Sequence, residues 1–98
     1  MILEVAILNV IPSIRDAFEE AFRVASPLIA ASSGYISHEL RKCLETPNRY
    51  LLLVQWQTLE DHTLGFRGSE RYVEWKNLLH KFYDPFPVVE HYVPLSAG

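Results

Sequence analysis

Among the residues able to do acid–base chemistry, His62 is the best placed. It lies in "EDHTLGFRGSERYVEW", residues 60–75, four positions before Phe66, so the two share a face if the segment is helical. A neutral imidazole near pH 7 is the usual general base. Arg67 and Arg71 flank the pair; either can hold an anionic ligand, and either can equally pair with Glu70 or Glu74 on the surface. Asn9 is the one amide on an otherwise apolar strand face, and a buried amide must find partners. It can bond a neighbouring backbone group or bind a polar group of a ligand. Trp56, Tyr72 and Trp75 are core residues by type, yet aromatics also wall the pockets of flat ligands.

Other chemistries lack their residues. His38, His62, His80 and His91 are far apart, with no H-x-x-x-H or C-x-x-C spacing, so no metal motif is present. "GFRG" lacks the Lys and Ser/Thr of a phosphate cradle, and no G-x-S-x-G elbow occurs. Cys43 sits mid-strand without a signal for activation and reads as a packed thiol.

The elements that must position these residues follow from periodicity. Residues 2–11 are rich in Ile, Leu and Val and stop at Pro12, which predicts a strand. Leu3, Val5, Ile7 and Asn9 occupy one face; Glu4, Ala6 and Leu8 occupy the other. Both faces are largely apolar, so both should be covered. Ser13 is expected to cap a helix whose stripe is Ile14, Ala17, Phe18, Ala21, Phe22 and Ala25. Pro27 should kink it or begin a new turn, and Gly34 should end it. "GYISHELRKCLE" alternates as a strand, with Tyr35, Ser37 and Glu39 on one face and Ile36, His38 and Leu40 on the other. A turn at Pro47 and Asn48 leads to "YLLLVQWQ", the most apolar strand and hence central. Thr58 should cap a short helix over 59–64, interrupted by Gly65 and Gly68. Ser69 should restart it, with Tyr72, Trp75, Leu78, Leu79 and Phe82 buried. "YDPFP" breaks that helix, and "VVEHYV" is a last short strand.

The order β-α-β-β-α-β in 98 residues is the ferredoxin-like plan: α+β, an antiparallel sheet with both helices on one face. One domain, 1–98, is expected. The open sheet face calls for a cover, and a second copy of the chain supplies it, which predicts a homodimer joined through its sheet faces. The net charge of −3 and the absence of a basic stripe exclude a nucleic-acid role. The first run is too short for a membrane span and has no basic leader. With a single cysteine, a reducing compartment is the simpler expectation, so the protein is read as soluble and cytoplasmic.

The strand ending in Trp56, the acidic turn into the helix bearing His62, the Ser69–Tyr72 helix start and the closing "VEHY" resemble the antibiotic biosynthesis monooxygenase family, whose members are dimeric α+β barrels. The resemblance covers nearly the whole chain and implies oxidation of a small phenolic or quinol substrate by O2 without metal or flavin. It implies that His62 is the base or proton relay, that Asn9 and Tyr72 assist, and that Trp56, Phe66, Arg67 and Trp75 bind the aromatic substrate. Haem-degrading members use an Asn, a Trp and a His. Here Asn9 matches the first, but Phe66 falls on the second, and Trp75 or Lys76 on the third. The alternative is a non-catalytic ligand-binding or regulatory dimer of the same fold.

Overall fold

The computed structural model describes residues 1–95, so the end of the domain expected over 1–98, residues 96–98, lies outside the described part. Four strands, β1 (Ile2–Asn9), β2 (Tyr35–Lys42), β3 (Arg49–Trp56) and β4 (Val89–Tyr92), form one antiparallel sheet in the order β2-β3-β1-β4. Helices α1 (Arg15–Ala30) and α2 (Glu70–Leu79) lie against one face. This is the α+β, ferredoxin-like arrangement.

Strand parity sends Ala6 and Leu8 of β1, and Tyr50, Leu52, Val54 and Trp56 of β3, to the helix side. Phe18, Phe22, Ala25 and Ile29 of α1 and Trp75 and Leu79 of α2 meet them, and these side chains form one core. The opposite face carries Leu3, Val5, Leu51 and Leu53, each only half-buried, and Ile7, which is 46% exposed. No helix among the described residues is long and apolar enough to cross a membrane.

Three local expectations need correction. Ser13 does not cap α1: residues Pro12–Ile14 form a 3-10 turn, and Ile14 holds the cap position without a side-chain bond. The proline sets the turn before the serine can act. Pro27 begins no new helix: α1 runs through it from Arg15 to Ala30. Its missing N–H orphans the Arg23 carbonyl, and the Ser26 hydroxyl donates to that oxygen at 3.2 Å. In β2, Tyr35 pairs with Trp56 and Ser37 with Gln55, so Ile36 is an extra residue in a bulge. The bulge reverses parity, and Tyr35 joins His38 and Leu40 on the core side instead of Ser37 and Glu39.

Between β3 and α2 the chain forms a π-helix, Asp61–Phe66, rather than a helix ending before Gly65. Its start is as the T-x-x-D pattern predicts: Thr58 Oγ1 accepts from the Asp61 N–H (3.2 Å), and Asp61 Oδ2 accepts from the Thr58 N–H (3.1 Å). The wide turn closes through the Arg67 N–H, which donates to the His62 carbonyl at 3.1 Å. Gly68 is where side-chain absence matters. A Cβ there would sit 2.5 Å from the Leu64 carbonyl oxygen, a backbone atom that cannot swing aside. At Gly65 the nearest atom would be 3.7 Å away. Gly68→Ala is therefore expected to lose about 1–3 kcal/mol by denaturant titration. Gly65→Ala should be neutral or slightly stabilising, by up to about 1 kcal/mol.

Candidate active site

A cavity of about 340 Å³ opens between the sheet, the π-helix and α2. Ala6, Leu8 and Leu52 of the sheet and Ile29 of α1 make its apolar floor. Phe66 and Trp75 meet edge to face at 5.7 Å, and Tyr72 meets Phe66 the same way at 5.5 Å, giving an aromatic wall. Ser69 places that wall: its hydroxyl oxygen accepts from the Tyr72 N–H at 3.2 Å and starts α2. Arg67 and Phe86 are the exposed side chains of the lining.

The polar part is built on a carboxylate. Glu4 shares the helix-facing side of β1 with Ala6 and Leu8 and is 5% exposed. Trp56 Nε1 donates to Glu4 Oε1 at 3.0 Å. His62 Nε2 lies 3.4 Å from the same oxygen, and His62 is 3% exposed. The other ring nitrogen, Nδ1, is 2.8 Å from His91 Nε2. His91 is directly across from Glu4 in the β1–β4 register, so the sheet itself sets the spacing. The Trp56 indole stacks on the His62 ring at 5.3 Å and 16°. The π-helix adds the last member. Its wide turn lets residues four and five after His62 both face inward, and Phe66 and Arg67 line the cavity together. Among the described residues, Arg67 has no carboxylate within ion-pairing distance.

These contacts set the protonation states. Burial pushes the Glu4 carboxyl above its usual value; the Trp56 hydrogen bond and the Arg67 charge offset part of this. Burial, then the Arg67 charge and then His91, hold His62 down at about 3, so its ring is neutral. His91 is lowered by burial and by Arg67. Tyr83, also in the lining, is raised by burial and stays a phenol.

The histidine shift has a consequence for stability. Unfolded His62 takes a proton below pH 6.5, while the folded ring does not until about 3. The unfolded state thus binds more protons in this window, and stability falls as pH drops through it. Glu4 acts oppositely: its folded carboxyl keeps a proton above the unfolded 4.5, which favours the folded state at low pH and is lost as pH rises through the folded value. His62→Gln isolates the first effect. It should shrink the stability difference between about pH 7 and pH 5 by about 2 kcal/mol, read by urea titration at both values.

Of the residues singled out from sequence, His62, Phe66, Arg67, Tyr72 and Trp75 come together around this cavity. Asn9 does not. It alternates with Leu8, so it points to the open face, where Arg49 Nε donates to its Oδ1 at 3.0 Å. Trp56 is fully buried and stands behind Glu4 and His62 rather than in the lining. Glu4 and His91 were not selected. The signal for Glu4 was present, a lone carboxylate in phase with Ala6 and Leu8; that for His91 depended on strand register.

The sequence model described as Antibiotic biosynthesis monooxygenase matches residues 1–78. The chain belongs to the antibiotic biosynthesis monooxygenase family. A Bacillus subtilis relative, the uncharacterized protein YczJ, is 56% identical over 92 residues, spanning 94% of this chain and 97% of that protein. A crystal structure from Bordetella bronchiseptica, provisionally named as an antibiotic biosynthesis monooxygenase, is 32% identical, with a TM-score of 0.91 over 96% of each chain. SnoaB of Streptomyces nogalater, a cofactor-independent oxygenase, is 14% identical, with a TM-score of 0.84 over 98% of this chain and 94% of its own. At that identity the likeness shows the fold alone.

Proposed function

We propose that this member of the family is a cofactor-independent oxygenase that oxidises a small phenolic or quinol substrate with O2. The observation that carries the reading is the Glu4–His62 pair lining a cavity walled by the aromatic rings of Phe66, Tyr72 and Trp75. A flat aromatic ring fits between such walls, and a proton acceptor lies at one end. The volume sits at the small end of ligand pockets, which range from about 300 to 1,000 Å³, so one or two fused rings are the expected size.

The chemistry needs little from the protein. The acid–base pair removes the phenol proton, and Arg67 stabilises the phenolate. The phenolate passes one electron to O2, and the radical pair joins as a carbon–peroxide bond at the para carbon. The O–O bond then breaks. One oxygen stays as the quinone carbonyl, and the other leaves as water with the hydroxyl proton and the ring hydrogen. Excluding bulk water keeps the radical pair together.

The probe is 1-naphthol. Saturable O2 uptake, with one ¹⁸O atom from ¹⁸O2 in 1,4-naphthoquinone, supports the reading. Saturable binding of naphthols without O2 uptake overturns it in favour of a ligand-binding module. A cytoplasmic location accords with Cys43 as a free thiol. A second copy covering Leu3, Val5, Ile7, Leu51 and Leu53 completes a dimeric barrel. Light scattering at micromolar concentration is expected to give twice the chain mass, and a stable monomer would sink the sheet-to-sheet pairing.

A further inference from the structure

We propose that Glu4, rather than His62, is the group that takes the substrate's proton, and that His62 and His91 follow it by exchanging ring tautomers. This rests on the oxygenase reading for its catalytic half; the tautomer exchange stands on the cluster alone.

Each ring nitrogen of His62 already faces a polar neighbour inside the protein. Nδ1 is 2.8 Å from His91 Nε2, and Nε2 is 3.4 Å from Glu4 Oε1. Glu4 has an oxygen without one: Oε1 is taken by Trp56 and approached by His62, while no protein group bonds Oε2 among the described residues. Glu4 and His62 line the cavity; His91 does not. The ligand-facing acceptor is thus the carboxylate. His62 lies between the other two and reaches each with a different nitrogen, so the three side chains form a chain rather than converge on one point.

A neutral imidazole carries one N–H and one lone pair, and the state of Glu4 decides which points where. When Glu4 is protonated on the oxygen beside His62, the position Oε1 occupies, its O–H faces the lone pair of His62 Nε2. The His62 proton is then on Nδ1 and donates to His91 Nε2, whose own proton is on Nδ1. When Glu4 is ionised, His62 turns an Nε2–H toward the carboxylate. Its Nδ1 lone pair then accepts from His91 Nε2–H. His62 can thus support either state of Glu4 without becoming charged, which suits a carboxyl that must accept and return a proton. In the reaction the substrate O–H bond breaks and an O–H forms on Glu4 Oε2; a half-turn of the carboxyl then brings that O–H to His62 Nε2. The proton returns to the oxygen that leaves as water, so nothing is gained or lost over a turnover. His62 and His91 are positioning residues in this scheme.

The charged and titratable groups around Glu4 are few. The π-helix presents His62 and Arg67, β4 presents His91, and α2 presents Tyr72. Tyr83 precedes β4, and α1 contributes only Ile29 to the cavity. Burial raises Tyr83, which stays a phenol. Glu4 is then the only one of these groups whose ionisation can drive a joint swap of both rings.

The test is ring-nitrogen NMR on ¹⁵N-labelled protein over a pH titration, with no ligand present. Expected is a joint change of His62 and His91 from Nδ1–H to Nε2–H as pH rises, at one shared midpoint, absent in Glu4→Gln. A wild-type protein in which His62 keeps one tautomer throughout overturns the proposal, as does a swap that persists in Glu4→Gln. The wild-type titration decides this half even if the variant does not fold. With 1-naphthol, Glu4→Gln should lower kcat/KM by about 10²–10⁴ and remove the limb that rises with pH. Wild-type uptake in Glu4→Gln overturns the catalytic half. A wild-type protein that swaps tautomers but takes up no O2 overturns the oxygenase reading and supports the coupled cluster.

Discussion

Trp56→Ala is expected to lose about 3–5 kcal/mol of folding stability, the range for truncating a large buried aromatic. The side chain is fully buried and touches three parts of the molecule at once. It meets Tyr35 of β2 edge to face at 6.3 Å, packs on His62 and Phe66 of the π-helix at 5.3 and 6.1 Å, and donates to Glu4 of β1. A cavity here is bordered by separate elements that cannot all collapse into it. The loss also takes away the 3.0 Å hydrogen bond to Glu4 Oε1 and leaves only the longer 3.4 Å approach of His62 Nε2. An unsatisfied buried acceptor adds about 1–3 kcal/mol. A domain of this size has roughly 5–15 kcal/mol in total, so the variant should approach the threshold of folding. Urea titration followed by circular dichroism reads the change. Trp56→Phe separates the two parts, since it fills much of the volume but donates nothing. A loss below about 1 kcal/mol in Trp56→Ala would mean that the stack on His62 is not a structural contact.

How much of this was legible depended on whether a residue's role is set locally or by register. The element order came from helical and strand periodicity and the faces of β1 from alternation, because a period of two is a local property. The β2 parity failed at Ile36 because a bulge is a tertiary accommodation that alternation does not encode. The Ser13 cap failed because Pro12 and Ser13 compete for the same turn, and the fixed φ of proline prevailed. At the site, the helical i, i+4 spacing linked His62 to Phe66, but it gave no reason for Arg67 to join them. Only the π-helix does that. Asn9 attracted notice as an unusual residue on an apolar face, yet the apolar face it marks is the open one. Glu4, one residue type more costly to bury, was the stronger signal on the face that matters. His91 required knowing that β4 pairs with β1 so that the two are opposite.

His62→Ala is expected to lower O2 uptake with 1-naphthol by about 10², although the ring does not itself take the proton. Three effects combine. The variant removes the group that faces Glu4 in both protonation states, leaving Trp56 as its single protein partner. It also unlinks His91, whose Nε2 then has no ring to bond. Finally, it opens the cavity wall beside Phe66, which admits water to a reaction that depends on excluding it. Most of the loss should appear in kcat, because the aromatic wall of Phe66, Tyr72 and Trp75 still binds the ring and keeps KM near its wild-type value. Comparison with His62→Gln tests the assignment. Glutamine keeps a polar group near Glu4 but cannot exchange tautomers, so it should restore part of the stability lost in the alanine variant and little of the rate. Uptake in His62→Ala equal to wild type would remove the histidine from the mechanism. Restoration of full rate by glutamine would reduce its role to filling space beside the carboxyl.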